Sequence, residues 1–81
     1  MLEVVYTVQA LKALKRMPEA DSKALVAKLE RHASDRKSGD VKRLKGLDLY
    51  RLRHGDYRAV FAVSTAALDV RTIAHRRKVY R

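Results

Sequence analysis

From Leu49 to Val63 (LYRLRHGDYRAVFAV) apolar residues alternate with arginines, the chain turns at Gly55-Asp56, and alternation resumes. Period-two alternation predicts two β strands, and the Gly-Asp pair predicts a two-residue hairpin with Gly55 opening a type II′ turn. In that register His54 faces Tyr57, Arg53 faces Arg58, Leu52 faces Ala59, Arg51 faces Val60 and Tyr50 faces Phe61. One surface of the hairpin is then apolar, with Val63 extending it, and the other carries Arg51, Arg53 and Arg58. A slip by one residue would turn the arginines into the core, so burial fixes the register.

Upstream, the β-branched and aromatic run Leu2–Thr7 predicts a short strand. Thr7 is a suitable N-cap for a helix over Val8–Arg16, with Leu11 and Leu14 on one face and Lys12, Lys15 and Arg16 pointing away. Met17-Pro18 ends it, because proline disfavours a helical conformation in the residue before it. Pro18 is expected at the first position of a second helix reaching Ser34, where Leu25, Leu29 and Ala33 form an i, i+4, i+8 stripe widened by Val26. Glu19 and Asp21 in its first turn, with Arg31 and His32 near its end, suit the helix dipole. Asp35–Asp40 reads as a loop, Val41–Gly46 as a basic, extended or irregular connector, and Ala67–His75 as a last strand too mixed in alternation to assign its faces. The order β-α-α-β-β-β predicts an α+β fold: a four-stranded twisted antiparallel sheet with the two N-terminal helices packed on one face.

At 81 residues the chain makes one small domain. No cysteine is present, so disulfides and cysteine-based metal or nucleophile chemistry are excluded. Neither a signal peptide nor a membrane-spanning segment is expected, which suits a cytoplasmic protein. The charge is lopsided. Residues 1–40 carry 8 Lys/Arg against 6 Asp/Glu, and residues 41–81 carry 11 against 3, together making the net +10. Such an excess is the footprint of a nucleic-acid binder or of a protein with an acidic partner.

The arginine face sharpens this. Like charges directly opposed across two strands cost up to about 1 kcal/mol, appreciable against the 5–10 kcal/mol or so that holds a small domain. Lone strand arginines are usually a wet sheet face. Three on one patch, preceded by Lys42, Arg43 and Lys45, point instead to an anion, and the planar guanidinium fork suits phosphate. The three histidines show no metal-ligand spacing, and no cofactor motif is present. Tyr50, Tyr57 and Phe61 resemble a base-stacking set, yet the register turns them into the core.

Val41-Lys-Arg-Leu-Lys-Gly46, Tyr50-Arg-Leu-Arg53, Gly55-Asp-Tyr-Arg58 and Ile73-Ala-His-Arg-Arg-Lys-Val-Tyr80, in this order and spacing, resemble the RelE/ParE toxin superfamily of type II toxin–antitoxin pairs, and its RelE-like branch in particular. The resemblance covers nearly the whole chain. It implies a twisted antiparallel sheet backed by two helices. RelE-type members cut mRNA in the ribosomal A site without a metal, whereas ParE-type members inhibit DNA gyrase. RelE-like enzymes place basic residues at the positions of Arg51 and Arg53, arginines at Arg58 and near Arg76, and a tyrosine at Tyr80. The best-known pattern has lysines where Arg51 and Arg53 stand, and a slightly longer spacing from the late arginine to the tyrosine. The helix that some relatives carry after that tyrosine is not expected here, which argues against control by displacing it.

The resemblance therefore implies an endonuclease that stops translation, giving a 2′,3′-cyclic phosphate and a 5′-OH. Arg51, Arg53, Arg58 and Arg76 would hold the phosphate, and Lys42, Arg43, Lys45, Arg77 and Lys78 would bind RNA around it. Arginine cannot be the base, since it stays charged at any working pH. Tyr80 is the favoured base and His75 the second choice, whereas His54, beside Tyr57 at the turn, is expected to be structural. The partners implied are the ribosome, mRNA and a cognate antitoxin that lays an acidic or amphipathic segment on the basic face, forming a toxin–antitoxin hetero-oligomer. Two alternatives stay open: a gyrase inhibitor, and a basic RNA- or ribosome-binding module that cuts nothing.

Overall fold

The structure, a computed structural model, describes residues 2–76. The chain runs β1 (Glu3–Tyr6), α1 (Val8–Arg16), α2 (Glu19–Ser34), β2 (Val41–Arg43), β3 (Tyr50–His54), β4 (Tyr57–Val63) and β5 (Ala67–His75). The class is the α+β arrangement expected, but the sheet has five strands, in the order β1-β5-β4-β3-β2. It is also mixed. The first strand lies beside the last in parallel, Glu3 opposite Ala67 through Tyr6 opposite Val70, while every other pairing is antiparallel. The fifth strand is the start of the basic connector, whose Val41-Lys-Arg pairs with Leu52, Arg51 and Tyr50.

The hairpin has the register read from its alternation, from His54 opposite Tyr57 to Tyr50 opposite Phe61. Gly55 turns it with a φ of +55°, a backbone region that costs a residue without a Cβ nothing. β5 resisted a face assignment for a visible reason. Its pairing with β4 shifts between Val60 and Phe61, so that Arg71 is an extra residue in a bulge. Leu68 and Val70 point inward before the bulge and Ile73 after it, all three fully buried.

Thr7 caps α1 as predicted: its Oγ1 accepts from the Ala10 amide at 3.2 Å and donates to the carbonyl of the bulged Arg71 at 2.6 Å. Two details of the helices differ from expectation. Pro18, with ψ at 137°, is the residue before α2 rather than its first. Leu11 is exposed, and the inward side chains are Ala10, Ala13 and Leu14 of α1 with Met17 just after it. These residues, with Leu25, Leu29 and Ala33 of α2 and the inward side chains of β3, β4 and β5, form one core. The helices thus cover one face of the sheet and leave the other open.

Candidate nucleic-acid interface

The open face is assembled by register. Lys42 of β2 lies opposite Arg51 of β3, and Arg53 opposite Arg58 of β4. The facing residues, Tyr50, Leu52, Ala59 and Phe61, point to the helices, and Tyr50 stacks on Phe61 with ring centroids 5.6 Å apart. The aromatic set is therefore core. Four of the basic residues read from the sequence share the outer surface.

Their surroundings differ. Arg58 is 7% exposed, and its Nη1 donates to the carbonyls of Gly55 and Tyr57, both at 3.0 Å. Its Nε is buried with no hydrogen-bond partner among the described residues. A buried cation with an unused donor is costly to hold, and such costs collect where a protein binds something. Arg51 is half-buried, with its Nε shielded from solvent. Arg53 is half-exposed, and Asp40 holds its Nε at 2.7 Å while accepting the Arg53 amide at 3.1 Å. One of the cluster's guanidiniums is thus already in contact with a carboxylate of the protein. No pattern in the sequence linked Asp40 to Arg53, because the pairing depends on β2 forming.

Arg76 closes the same end of the sheet. Its amide donates to the Asp56 carbonyl at 2.6 Å, and its Nε lies 3.5 Å from the Asp56 carboxylate, at the turn where Arg58 is anchored. Tyr80, Arg77 and Lys78 lie outside the described residues. His75 pairs with Tyr57 on the helix side, its ring edge-to-face with that tyrosine, and its Nε2 is 3.9 Å from Asp56. The second-choice acid or base therefore lies on the opposite face from Arg51, Arg53 and Arg58, although it shares the Asp56 carboxylate with Arg76.

His54 has the structural place expected of it. Its Nε2 meets Asp21 at 3.1 Å and its Nδ1 meets Lys28 at 2.9 Å, tying the hairpin to α2. Lysine can only donate, so Nδ1 is the acceptor, and Nε2 carries the proton toward the carboxylate. Arg43 does not share the open face with Lys42. Alternation along β2 sends it to the helix side, opposite Tyr50, while Lys42 stays on the open face. Lys45 lies in the exposed turn after β2. His32, read as a helix-end residue, is buried at 2% exposure: its Nε2 accepts from Arg36, so its protonated Nδ1 donates to the Ser38 carbonyl.

The family whose sequence model describes the ParE toxin of the type II toxin–antitoxin system parDE matches residues 4–80. The chain belongs to that family. It is a type II toxin of the RelE/ParE superfamily, with a RelE-like fold. Among solved structures, this toxin is similar to a chain of the archaeal RelE–RelB complex from Pyrococcus horikoshii OT3, with a TM-score of 0.80, 27% identity, and 96% of this chain and 98% of that one covered. It is also similar to a chain of the RelB–RelE antitoxin–toxin complex from Methanococcus jannaschii, at 0.79, 25%, and 94% of each chain. The intact E. coli RelBE complex shares the fold at 0.76 and 21% identity, over 93% of this toxin and 96% of that chain. Among curated proteins, none matches the sequence.

Proposed function

We propose that this toxin is a ribosome-dependent, metal-independent mRNA endonuclease of the cytoplasm, formed as one domain and held in check by a cognate antitoxin. The observation that carries the reading is Arg58. Its guanidinium is buried on the open face, directly opposite Arg53, with a donor that has no partner among the described residues. Stability alone gives little reason to keep such a group, whereas a phosphorane intermediate with extra negative charge gives a strong one.

The chemistry follows from the groups available. A base takes the proton of the ribose 2′-OH, whose oxygen attacks the neighbouring phosphorus. The 5′ oxygen departs and is protonated, leaving a 2′,3′-cyclic phosphate and a 5′-OH. Arg51, Arg53 and Arg58, joined by Arg76 at the hairpin end, neutralise the charge on the phosphoryl oxygens. The resemblance supplies Tyr80 as the base, and the place of His75 and His54 on the helix face supports that choice. The antitoxin covers the basic face with an acidic or amphipathic segment, and the solved relatives crystallised with RelB antitoxins support such a partner.

The family name itself favours a second reading, gyrase inhibition, since the matching family is described as ParE toxin. One experiment separates the two. The toxin, Arg58→Ala and Tyr80→Phe are each induced in cells, and mRNA 5′ ends are mapped on translating ribosomes. Cleavage by the wild type that each variant lowers at least a hundredfold is the expected result. Growth arrest with intact mRNA and broken DNA would replace the nuclease by the gyrase reading.

A further inference from the structure

Arg43, turned away from the open face, sits at a second basic site. A cavity of about 190 Å³ opens on the helix side of β2, lined by His32, Arg36, Lys37, Gly39, Arg43 and Tyr50 among others, with no carboxylate in its wall. Two features distinguish it from an ordinary charged surface. First, Arg36 is held in place. Its Nε donates to the buried His32 at 3.3 Å, and its guanidinium carbon lies 5.5 Å from the centroid of the Tyr50 ring. The remaining N–H groups of that fork have no partner among the described residues. Secondly, the loop that forms the wall is set by its own hydrogen bonds. Ser38 donates its amide to the Asp35 carbonyl at 2.9 Å, His32 grips the Ser38 carbonyl at 2.8 Å, and Gly39 turns with a φ of +87°.

The nearby acids do not neutralise the site. The Asp35 carboxylate accepts the Lys37 amide at 3.1 Å, leaving the Lys37 ammonium without a carboxylate among the described residues. Asp48 reaches one Arg43 nitrogen only at 3.6 Å, in an exposed pair that water and salt screen. Two guanidiniums and an ammonium thus line one hollow, and a preset guanidinium fork matches the oxygens of a phosphodiester.

β2 is the edge of the sheet, with Lys42, Arg51 and Arg53 on its other side. We propose that Arg36, Lys37 and Arg43 form a second phosphate site, which takes a backbone phosphate of folded RNA lying outside the strand on the open face. This rests on the RNA reading above and adds to it a place where structured RNA is gripped across the sheet edge.

The test reads binding rather than cleavage, so the two ideas can fail separately. Wild-type toxin and the double variant Arg36→Gln/Arg43→Gln are titrated by amide NMR, first with inorganic phosphate, then with an RNA hairpin and a DNA duplex of the same sequence. Phosphate is expected to shift the Ser38 and Gly39 amides of the wild type and to leave those of the variant still. Hairpin affinity is expected to fall about tenfold in the variant, with the slope of log affinity against log salt reduced by about 1. Arg36→Lys, which keeps the charge and loses the fork, is expected to recover less than half of that loss. Shifts confined to the open face, or equal hairpin affinity of wild type and double variant, would overturn the site. Equal grip on the DNA duplex would overturn its assignment to RNA. If the double variant loses the hairpin while no form of the toxin cuts mRNA, the site stands and the nuclease reading falls.

Discussion

Asp40 holds Arg53 by both main chain and side chain: its carbonyl accepts the Arg53 amide, and its carboxylate lies 2.7 Å from the Arg53 Nε. On the reading proposed above, the carboxylate occupies the place that a phosphate oxygen would take. An exposed pair of this kind contributes about 0.2–1 kcal/mol, enough to compete with a bound anion without excluding it. Asp40→Asn keeps the backbone contact and removes the charge. RNA affinity is expected to rise by between about 1.4-fold and fivefold, the factor equivalent to that pair energy, as measured by fluorescence anisotropy with a short oligonucleotide. A fall in affinity would mean that Asp40 orients Arg53 rather than competing for it.

Gln9 does the work of a missing strand. Its side-chain Nε2 donates to the Ile73 carbonyl at 3.1 Å and its Oε1 accepts the Ile73 amide at 3.0 Å, beyond the point where β1 stops pairing with β5. Gln9→Ala leaves both groups of Ile73 unpaired in a half-buried setting. A loss of about 1–2 kcal/mol is expected by urea denaturation, along with faster hydrogen exchange at the Ile73 amide. Unchanged exchange would mean that another group, or water, replaces the glutamine fully.

The hairpin was legible because its two constraints agree: period-two alternation and a Gly-Asp turn permit one register, and burial forbids the slip. α1 and its Thr7 cap were legible for the same reason. The rest depended on partners far along the chain. β2 has only Val41-Lys-Arg to show, too short for a period, and without it Arg43 was grouped with Lys42 and Asp40 was invisible. β1 carries nothing in its residues that distinguishes a parallel edge from an antiparallel one. The Arg71 bulge broke the alternation of β5, and only the paired strand shows where. Of the proposed site, the three hairpin arginines came from local pattern, whereas the placing of His75 with Tyr57, away from them, required the β4–β5 register.

Tyr6 gives the fold a pH dependence at the alkaline end. Burial, and then the negative charge of Glu30, raise its pKa above the ordinary 10.0. The folded state therefore keeps the phenolic proton to higher pH than the unfolded state does. Stability is unaffected below about pH 10 and falls as pH rises beyond it. The hydroxyl is also buried without a hydrogen-bond partner among the described residues. Tyr6→Phe should therefore leave stability at pH 7 unchanged or higher by up to about 1 kcal/mol. Urea denaturation at pH 7 and at about pH 10.5 checks both points. The variant should lose less on going alkaline than the wild type, and an equal loss would assign the slope to other tyrosines or lysines.

Arg58 allows function to be separated from folding. Its Nη1 bonds go to the carbonyls of Gly55 and Tyr57, and Gly55 is exposed enough for water to replace the arginine there. Against those bonds stand a buried charge, an Nε without a partner among the described residues, and the repulsion of Arg53 directly opposite. Replacing such a cation by an apolar chain of similar length is often neutral or stabilising. Arg58→Met is therefore expected to change folding stability by less than about 1 kcal/mol, or to raise it. On the reading proposed above, the same substitution lowers mRNA cleavage at least a hundredfold, the scale of losing a principal electrostatic stabiliser. Denaturation curves and ribosome-dependent 5′-end mapping on one preparation check the pair of outcomes. A variant that unfolds would make Arg58 a structural residue of the hairpin, and one that stays folded and cuts normally would remove it from the chemistry.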